Sequence, residues 1–342
     1  MSGIENKKTK QTILRSLAYA QFEHSMDLES RHYWNTICAI DYAHKWWNSI
    51  PSANHPAVLH DASGDNKDPF RRVPLSPGQY LEALNESRNM IRQNVVISFA
   101  AAFENYICNV TQRTIFLEPE CLRKEKDSAQ SAAGTAFTLN DLIEPAKTGQ
   151  FRYWLSKNMA EKYQRAMTHE KLIYRLNALI QHGLNKDNPD ILNWTKYERL
   201  RNAIVHADRR VTSDLVKSWP DRFNQIGQTI ILRDKDISGI SALARKIASA
   251  IDTRFVLKVV RDQDNHLLVR EIYIRYGIED PSRVCQIVSS FTKGRVTSKT
   301  VESIIQKQKK TGNAIDGYDF DRLFSVFDEA NASLVERNNK FI

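Results

Sequence analysis

Residues 188–210 read NPDILNWTKYERLRNAIVHADRR. Asn188 followed by Pro189 is a helix start: the short polar side chain caps, and proline suits the first helical position, where its missing N–H costs nothing. Apolar and polar residues then follow at helical spacing. On a helix turning about 100° per residue, Asn193, Tyr197, Leu200, Ile204 and Ala207 line one face, read here as the core stripe. Measured from Leu200, Arg201 lies at about 100°, Glu198 at about 160°, Asn202 at about 200° and His206 at about 240°. These four polar residues share the side away from the stripe, and Glu198–Asn202 and Asn202–His206 are both spaced i, i+4. Arg201 and His206 point in different directions. A second copy across a two-fold axis would gather two Arg–His sets into one cleft.

The spacing Arg-x4-His alone carries little information. It occurs at Arg201…His206 and again at Arg261…His266. A wider spacing also joins Arg175 to His182 and Arg199 to His206, so the arginine of the pair is not fixed by the pattern. Context separates them. Arg261…His266 spans a polar DQDN turn, where Asp and Asn are expected for local hydrogen bonding. His182 stands beside Gly183 at a helix end, a place that favours a cation for its own sake. Only RNAIVH sits inside a helix with an identifiable core face.

The surrounding chain reads as mainly helical. Residues 11–50 have helical periodicity, and Pro51 to Gly78 is loop-like. Ser76-Pro77 starts a long helix whose stripe includes Leu84, Ile91, Val95, Phe99, Phe103, Tyr106 and Val110 and which Pro119 ends. Residues 118–139 read as a polar loop, and short helices follow to His182. TIILRD (229–234) reads as a short strand and residues 236–252 as an amphipathic helix. RFVLKVVRDQDNHLLVREIYIRYG (254–277) reads as a β-hairpin, two β-branched runs around a polar tip. Residues 280–342 return to helical spacing.

This organisation gives an N-terminal helical extension and loop (1–75), a helical bundle (76–254), and a C-terminal α/β segment of hairpin plus helices (255–342). The chain has 342 residues, 42% hydrophobic and 26% charged, enough for a sizeable core. With 49 Lys and Arg against 40 Asp and Glu, net +9, polyanions such as RNA are the favoured class of partner. Cys38, Cys108, Cys121 and Cys285 are scattered and form no ligand spacing, so they read as reduced, buried thiols, with no metal site and no cofactor expected. MSGIENKKTKQTILRS has no signal-like core and no apolar run is long enough to span a bilayer, so no membrane partner is expected and the cytoplasm is the expected compartment.

The order Arg-Asn-x-x-x-His near a helix end, with the apolar-aromatic stretch SFAAAFENYI (98–107) on an upstream helix and a strand-like piece and closing helix downstream, resembles the HEPN superfamily over roughly residues 77–254. That resemblance implies a helical bundle that forms a homodimer with a composite cleft. It implies a metal-independent endoribonuclease in which the RNA 2′-hydroxyl attacks the adjacent phosphate, leaving 2′,3′-cyclic phosphate and 5′-hydroxyl ends. In that chemistry His206 is the general acid or base, since imidazole titrates near neutrality. Arg201 steadies charge on the phosphorane with its forked donors, and Asn202 orients His206 or a phosphate oxygen. Glu198 and Arg199 support the site, and Arg209 and Arg210 guide the RNA backbone. Toxin or antiviral-defence roles, with an antitoxin or regulatory protein as restraint, are implied in the same way. The resemblance equally admits a non-catalytic module that binds RNA or a protein.

Other clusters read as structural. Trp46-Trp47, with His44 and Lys45, closes a core at a helix end rather than stacking on bases. Asp319 and Asp321 read as helix-start charges, and Lys307–Lys310 as a solvated face or an RNA contact.

Overall fold

The computed structural model describes residues 14–59, 74–125 and 151–311. Among them the chain forms ten α-helices and no sheet, so the mainly helical class holds. In chain order they are α1 (Leu17–Ser49), α2 (Pro77–Leu117), α3 (Phe151–Ala166), α4 (His169–Ile180), α5 (Pro189–His206), α6 (Ser213–Ser218), α7 (Asp234–Phe255), α8 (Gln263–Tyr276), α9 (Pro281–Thr292) and α10 (Ser298–Thr311).

The helix starts follow from local chemistry. At α2 the Ser76 hydroxyl accepts the Gln79 N–H at 3.4 Å and the Gln79 side chain accepts the Ser76 N–H at 3.0 Å, a reciprocal capping box ahead of Pro77. Asn188 Oδ1 accepts the Asp190 N–H at 2.9 Å ahead of α5, and Asp280 Oδ1 accepts the Ser282 N–H at 3.0 Å ahead of α9. Both are cap-then-proline arrangements, the first of them read from the sequence.

Two expected β elements are absent. Residues 254–277 are helical: α7 runs into a π-helical turn at Val256–Val260, the chain turns at Arg261 with φ 53°, and α8 begins at Gln263. The buried residues Val256, Val259 and Val260, then Leu268, Val269 and Ile272, recur at helical rather than alternating spacing. β-branched composition is a weaker determinant than where the apolar face falls. TIILRD forms no strand, apart from one isolated bridge between Arg210 and Thr229, and its Asp234 already belongs to α7. Side chains of α2 satisfy part of its backbone instead. Asn89 Nδ2 and Gln93 Nε2 donate to the Ile230 carbonyl at 2.9 and 2.7 Å, Leu232 N–H donates to Asn89 Oδ1 at 2.9 Å, and Arg92 donates to the Leu232 carbonyl at 3.2 Å.

The chain falls into two compact units, each discontinuous in sequence. The first comprises residues 1–24, 103–191 and 245–342; the second, residues 25–102 and 192–244. In the second unit Tyr33, Phe99, Trp194 and Leu200 are fully buried. Asp234, at the start of α7, accepts hydrogen bonds from Tyr33 Oη at 2.6 Å and Arg92 Nε at 2.8 Å. Burial and the Asp234 carboxylate push the Tyr33 hydroxyl up to about 12. Gly239 lies where α7 meets α5, and a Cβ there would lie 2.5 Å from the Tyr197 hydroxyl, which would have to shift.

In the first unit Phe22, Phe103 and Tyr106 pack ring to ring, with centroids 5.2–6.4 Å apart. Helices α8, α9 and α10 surround a separate apolar cluster of Leu268, Ile272, Val284, Val288, Val301 and Ile305. The α1 entry is fastened by buried carboxylates: the Ser16 hydroxyl donates to Asp252 at 2.5 Å and the Leu17 N–H to Asp264 at 2.8 Å.

Candidate functional site on helix α5

Helix α5 changes its buried side along its length. Ile191, Trp194 and Glu198 are buried in the first part, and Leu200, Ala203 and Ile204 in the second. The single stripe expected from periodicity is therefore corrected: Asn193 is exposed and Trp194 takes the interior position. Glu198 is only 8% exposed, so it does not share the solvent side with the motif residues. A helix packed on two sides has no single apolar stripe to read, and a phase taken from one half misplaces the other.

Asn202 and His206 are exposed, and Arg201 is half-buried. Arg201 Nη1 donates to Asn202 Oδ1 at 3.0 Å, so the guanidinium reaches round to the Asn202 side. His206 is the last residue of α5. Arg199, half-buried, precedes Asn202 by three positions and His206 by seven, which puts all three on one line along the helix surface. The line continues toward the N-terminus through Thr195 to Leu192, which is 53% exposed. Leu192, Thr195, Arg199, Asn202 and His206 thus follow a heptad-like i, i+3, i+7, i+10, i+14 seam, a signal present in the sequence but hidden behind the expected core stripe.

Beyond His206 the chain turns through two consecutive left-handed residues, Asp208 at φ 49° and Arg209 at φ 60°. Aspartate tolerates this conformation; arginine does so at a cost of about 1 kcal/mol or more. The surrounding loop holds it there. Arg210 N–H donates to the Ala207 carbonyl at 3.0 Å, Ile230 N–H to the Arg209 carbonyl at 2.9 Å, and Val211 N–H to the Gln228 carbonyl at 2.8 Å. Arg210 is exposed, with Nη1 donating to the Gly227 carbonyl at 3.0 Å. The structure thus brings Arg199, Arg201, Asn202 and His206 to one end of α5, with Arg209 and Arg210 in the turn that follows.

Of the alternative Arg–His pairs, Arg175 and His182 have structural roles. Arg175 donates to Tyr163 Oη at 2.6 Å and stacks over its ring. His182 is buried; one ring nitrogen meets the Ile173 carbonyl at 3.0 Å while Nδ1 accepts the Leu184 N–H at 3.1 Å. That arrangement holds a neutral ring, and burial lowers its pKa to about 4. His266 lies 3.6 Å from Asp262 one helical turn away, on α8 rather than on a hairpin tip. Trp47 is buried and Trp46 packs edge-on against it, with centroids 4.4 Å apart.

Cys38 is exposed and Cys108, Cys121 and Cys285 are half-buried, so the expectation of buried thiols is corrected. Burial raises the Cys108 thiol to about 11. Asp319 and Asp321 lie outside the described residues. Among the described residues no group of three or more His, Cys, Asp and Glu is placed to hold a metal ion, and no helix is long and apolar enough to cross a membrane. No protein family, curated protein or solved structure matches the chain.

Proposed function

We propose that the chain is a HEPN-like, metal-independent endoribonuclease acting as a homodimer. The observation that supports this most directly is the alignment of Arg199, Asn202 and the exposed His206 along one face of α5, with Arg201 hydrogen-bonded to Asn202. Two copies of α5 packed along that face present two imidazoles and two arginine sets to one phosphodiester. One His206 takes the proton from the RNA 2′-hydroxyl as its oxygen attacks phosphorus. The P–O5′ bond breaks, and the His206 of the second copy gives a proton to the departing 5′-oxygen. The products are a 2′,3′-cyclic phosphate and a 5′-hydroxyl. An arginine of each set neutralises charge building on the phosphorane oxygens, and Asn202 orients the imidazole. Arg209 and Arg210 follow on the same end and hold the RNA backbone. By the same resemblance the enzyme acts as a toxin or antiviral-defence effector held in check by an antitoxin or regulatory protein.

The test is incubation of the purified protein with total RNA in the presence of a metal chelator, beside His206→Ala. The wild type cleaves and leaves 2′,3′-cyclic phosphates, and the variant is slower by about 10²–10⁴-fold. Equal cutting by both proteins, or ends carrying 3′-hydroxyls, overturns the mechanism. Salt-sensitive RNA binding with no cleavage by either protein replaces it with a non-catalytic RNA-binding module.

A further inference from the structure

The first unit contains a cavity of about 300 Å³ between α2, α8 and α10. Arg113 and Phe116 reach it from α2, His266 and Arg270 from α8, and Lys307 and Gln308 from α10. No aspartate or glutamate lines it among the described residues. We propose that this cavity is a binding site for a small phosphate monoester.

Arg270 is the decisive residue. Its Nε and Nη2 atoms are buried and have no hydrogen-bond partner. A buried guanidinium nitrogen without an acceptor is costly, because burial has removed its water and nothing has replaced it. Arginine cannot shed its charge to escape that cost. Arg270 lines the cavity, where no carboxylate answers its charge among the described residues, and a phosphate oxygen pair suits its planar fork.

The remaining charges fit. Arg113 is buried and pairs with Asp264 at 3.4 Å, and Asp264 also accepts the Leu17 N–H, so that carboxylate is already committed. His266 is close to Asp262, both of them well exposed. Lys307 is exposed at the cavity edge and has no acidic partner among the described residues, whereas Lys309 on the same helix pairs with Glu279 at 2.8 Å. The surplus is therefore Arg270 plus Lys307, which matches a dianion.

Phe116 gives one wall. Arg113 lies over its ring at 5.7 Å from the centroid and Arg152 at 6.0 Å. An apolar wall beside a cationic pair favours a phosphate carrying an organic group over free phosphate. The volume is at the lower end of the roughly 300–1,000 Å³ of small-molecule sites. It accommodates a phosphate with one sugar and excludes an oligonucleotide beyond its terminal residue. The source is then either a free sugar phosphate or the phosphorylated end of an RNA. The site stands independently of the nuclease proposed for α5.

The experiment is calorimetric titration of the full chain with ribose 5-phosphate, ribose and orthophosphate at constant ionic strength. Ribose 5-phosphate binds, orthophosphate binds more weakly, and ribose does not bind. Arg270→Gln weakens ribose 5-phosphate about tenfold or more, the scale of losing a charge-assisted pair of hydrogen bonds. Lys307→Gln, at an exposed position that folding tolerates, weakens it less, and Lys309→Gln, with the same charge change outside the cavity, leaves it unchanged. His206→Ala also leaves it unchanged, which separates this site from α5. A 5′-phosphorylated tetranucleotide that competes with ribose 5-phosphate, while its 5′-hydroxyl twin does not, assigns the source to RNA ends; failure of both to compete assigns it to a free monoester. The proposal is overturned if ribose 5-phosphate does not bind at millimolar concentration, or if wild type, Arg270→Gln and Lys307→Gln bind it equally. If Arg270→Gln does not fold, Lys307→Gln against Lys309→Gln decides.

Discussion

The two basic regions use the same residue types in opposite settings. On α5, Arg201, Asn202 and His206 stand on or near an open surface, and Arg201 Nη1 donates to Asn202. Between α2, α8 and α10, arginines, a lysine and a histidine surround a concavity, and Arg270 buries two nitrogens without an acceptor. An open face lacks the enclosure that concentrates electrostatic effects, so it needs a second surface before it can do chemistry. A concavity carries its own low-dielectric walls and binds within one chain. Under the two proposals, similar composition serves a surface that needs a partner in one case and a receptor within one chain in the other.

Arginine substitutions give the largest expected effects and separate the two regions. Removing the arginine that contacts the scissile phosphate lowers the cleavage rate about 10²–10³-fold, the size found when a developing oxyanion loses one fixed donor. Arg201→Ala and Arg199→Ala should differ. The hydrogen bond from Arg201 to Asn202 predicts the greater loss at Arg201, whereas the alignment of Arg199 with His206 predicts it at Arg199. Single-turnover cleavage with each variant decides. In both, ribose 5-phosphate affinity stays at the wild-type level. A common loss of cleavage and of ribose 5-phosphate binding would erase the distinction between the regions.

Much of the α5 region was legible because its signals are local. Asn188-Pro189 caps and starts the helix as read, and Arg201, Asn202 and His206 reach its accessible side. The misplacement of Glu198 arose from long-range packing: α5 is covered on different sides in its two halves, which no single phase describes. The C-terminal region was less legible for a related reason. Runs such as FVLKVV suit a strand by composition, yet burial of Val256, Val259 and Val260 on one side makes them helical. The cavity joins residues more than 190 positions apart, from Arg113 to Gln308, and its key observation is the lack of a partner for Arg270. Neither spacing nor motif announces that.

Enclosed polar groups should also set how stability responds to pH. Burial holds the His182 ring at about 4, against 6.5 for the free side chain. The unfolded chain binds that proton first, so this contribution is complete above 6.5 and is lost as pH falls toward 4, by up to about 3 kcal/mol. Asp252 acts in the other direction. Burial raises its carboxyl to about 7 from 3.8, against the opposing pull of the Ser16 hydrogen bonds. Its contribution is complete below 3.8 and is lost as pH rises toward 7. Between pH 4 and 6.5 the two oppose each other. Urea midpoints at the two ends of that range should therefore differ little in the wild type. Asp252→Asn should leave stability rising with pH, and His182→Gln should leave it falling. The same slope in both variants would show that these groups do not govern the response.

The smallest expected effect tests what the open face is open for. Leu192 is 53% exposed on the line that continues through Arg199, Asn202 and His206. An exposed leucine alone is unremarkable, because folded surfaces remain largely apolar. At the head of a heptad-spaced polar seam it is a natural contact for the same residue in a second copy. Leu192→Glu would set two carboxylates against each other across the axis. Because the residue is exposed, monomer stability should change by less than about 0.5 kcal/mol. Dimer affinity should fall by about tenfold or more, close to 1.4 kcal/mol. Sedimentation over a range of concentrations measures both states, and cleavage per chain should fall in step with the dimer fraction while ribose 5-phosphate binding does not. A wild-type chain that stays monomeric at every concentration, yet still cleaves, would mean that one α5 suffices and that the open face needs no second copy.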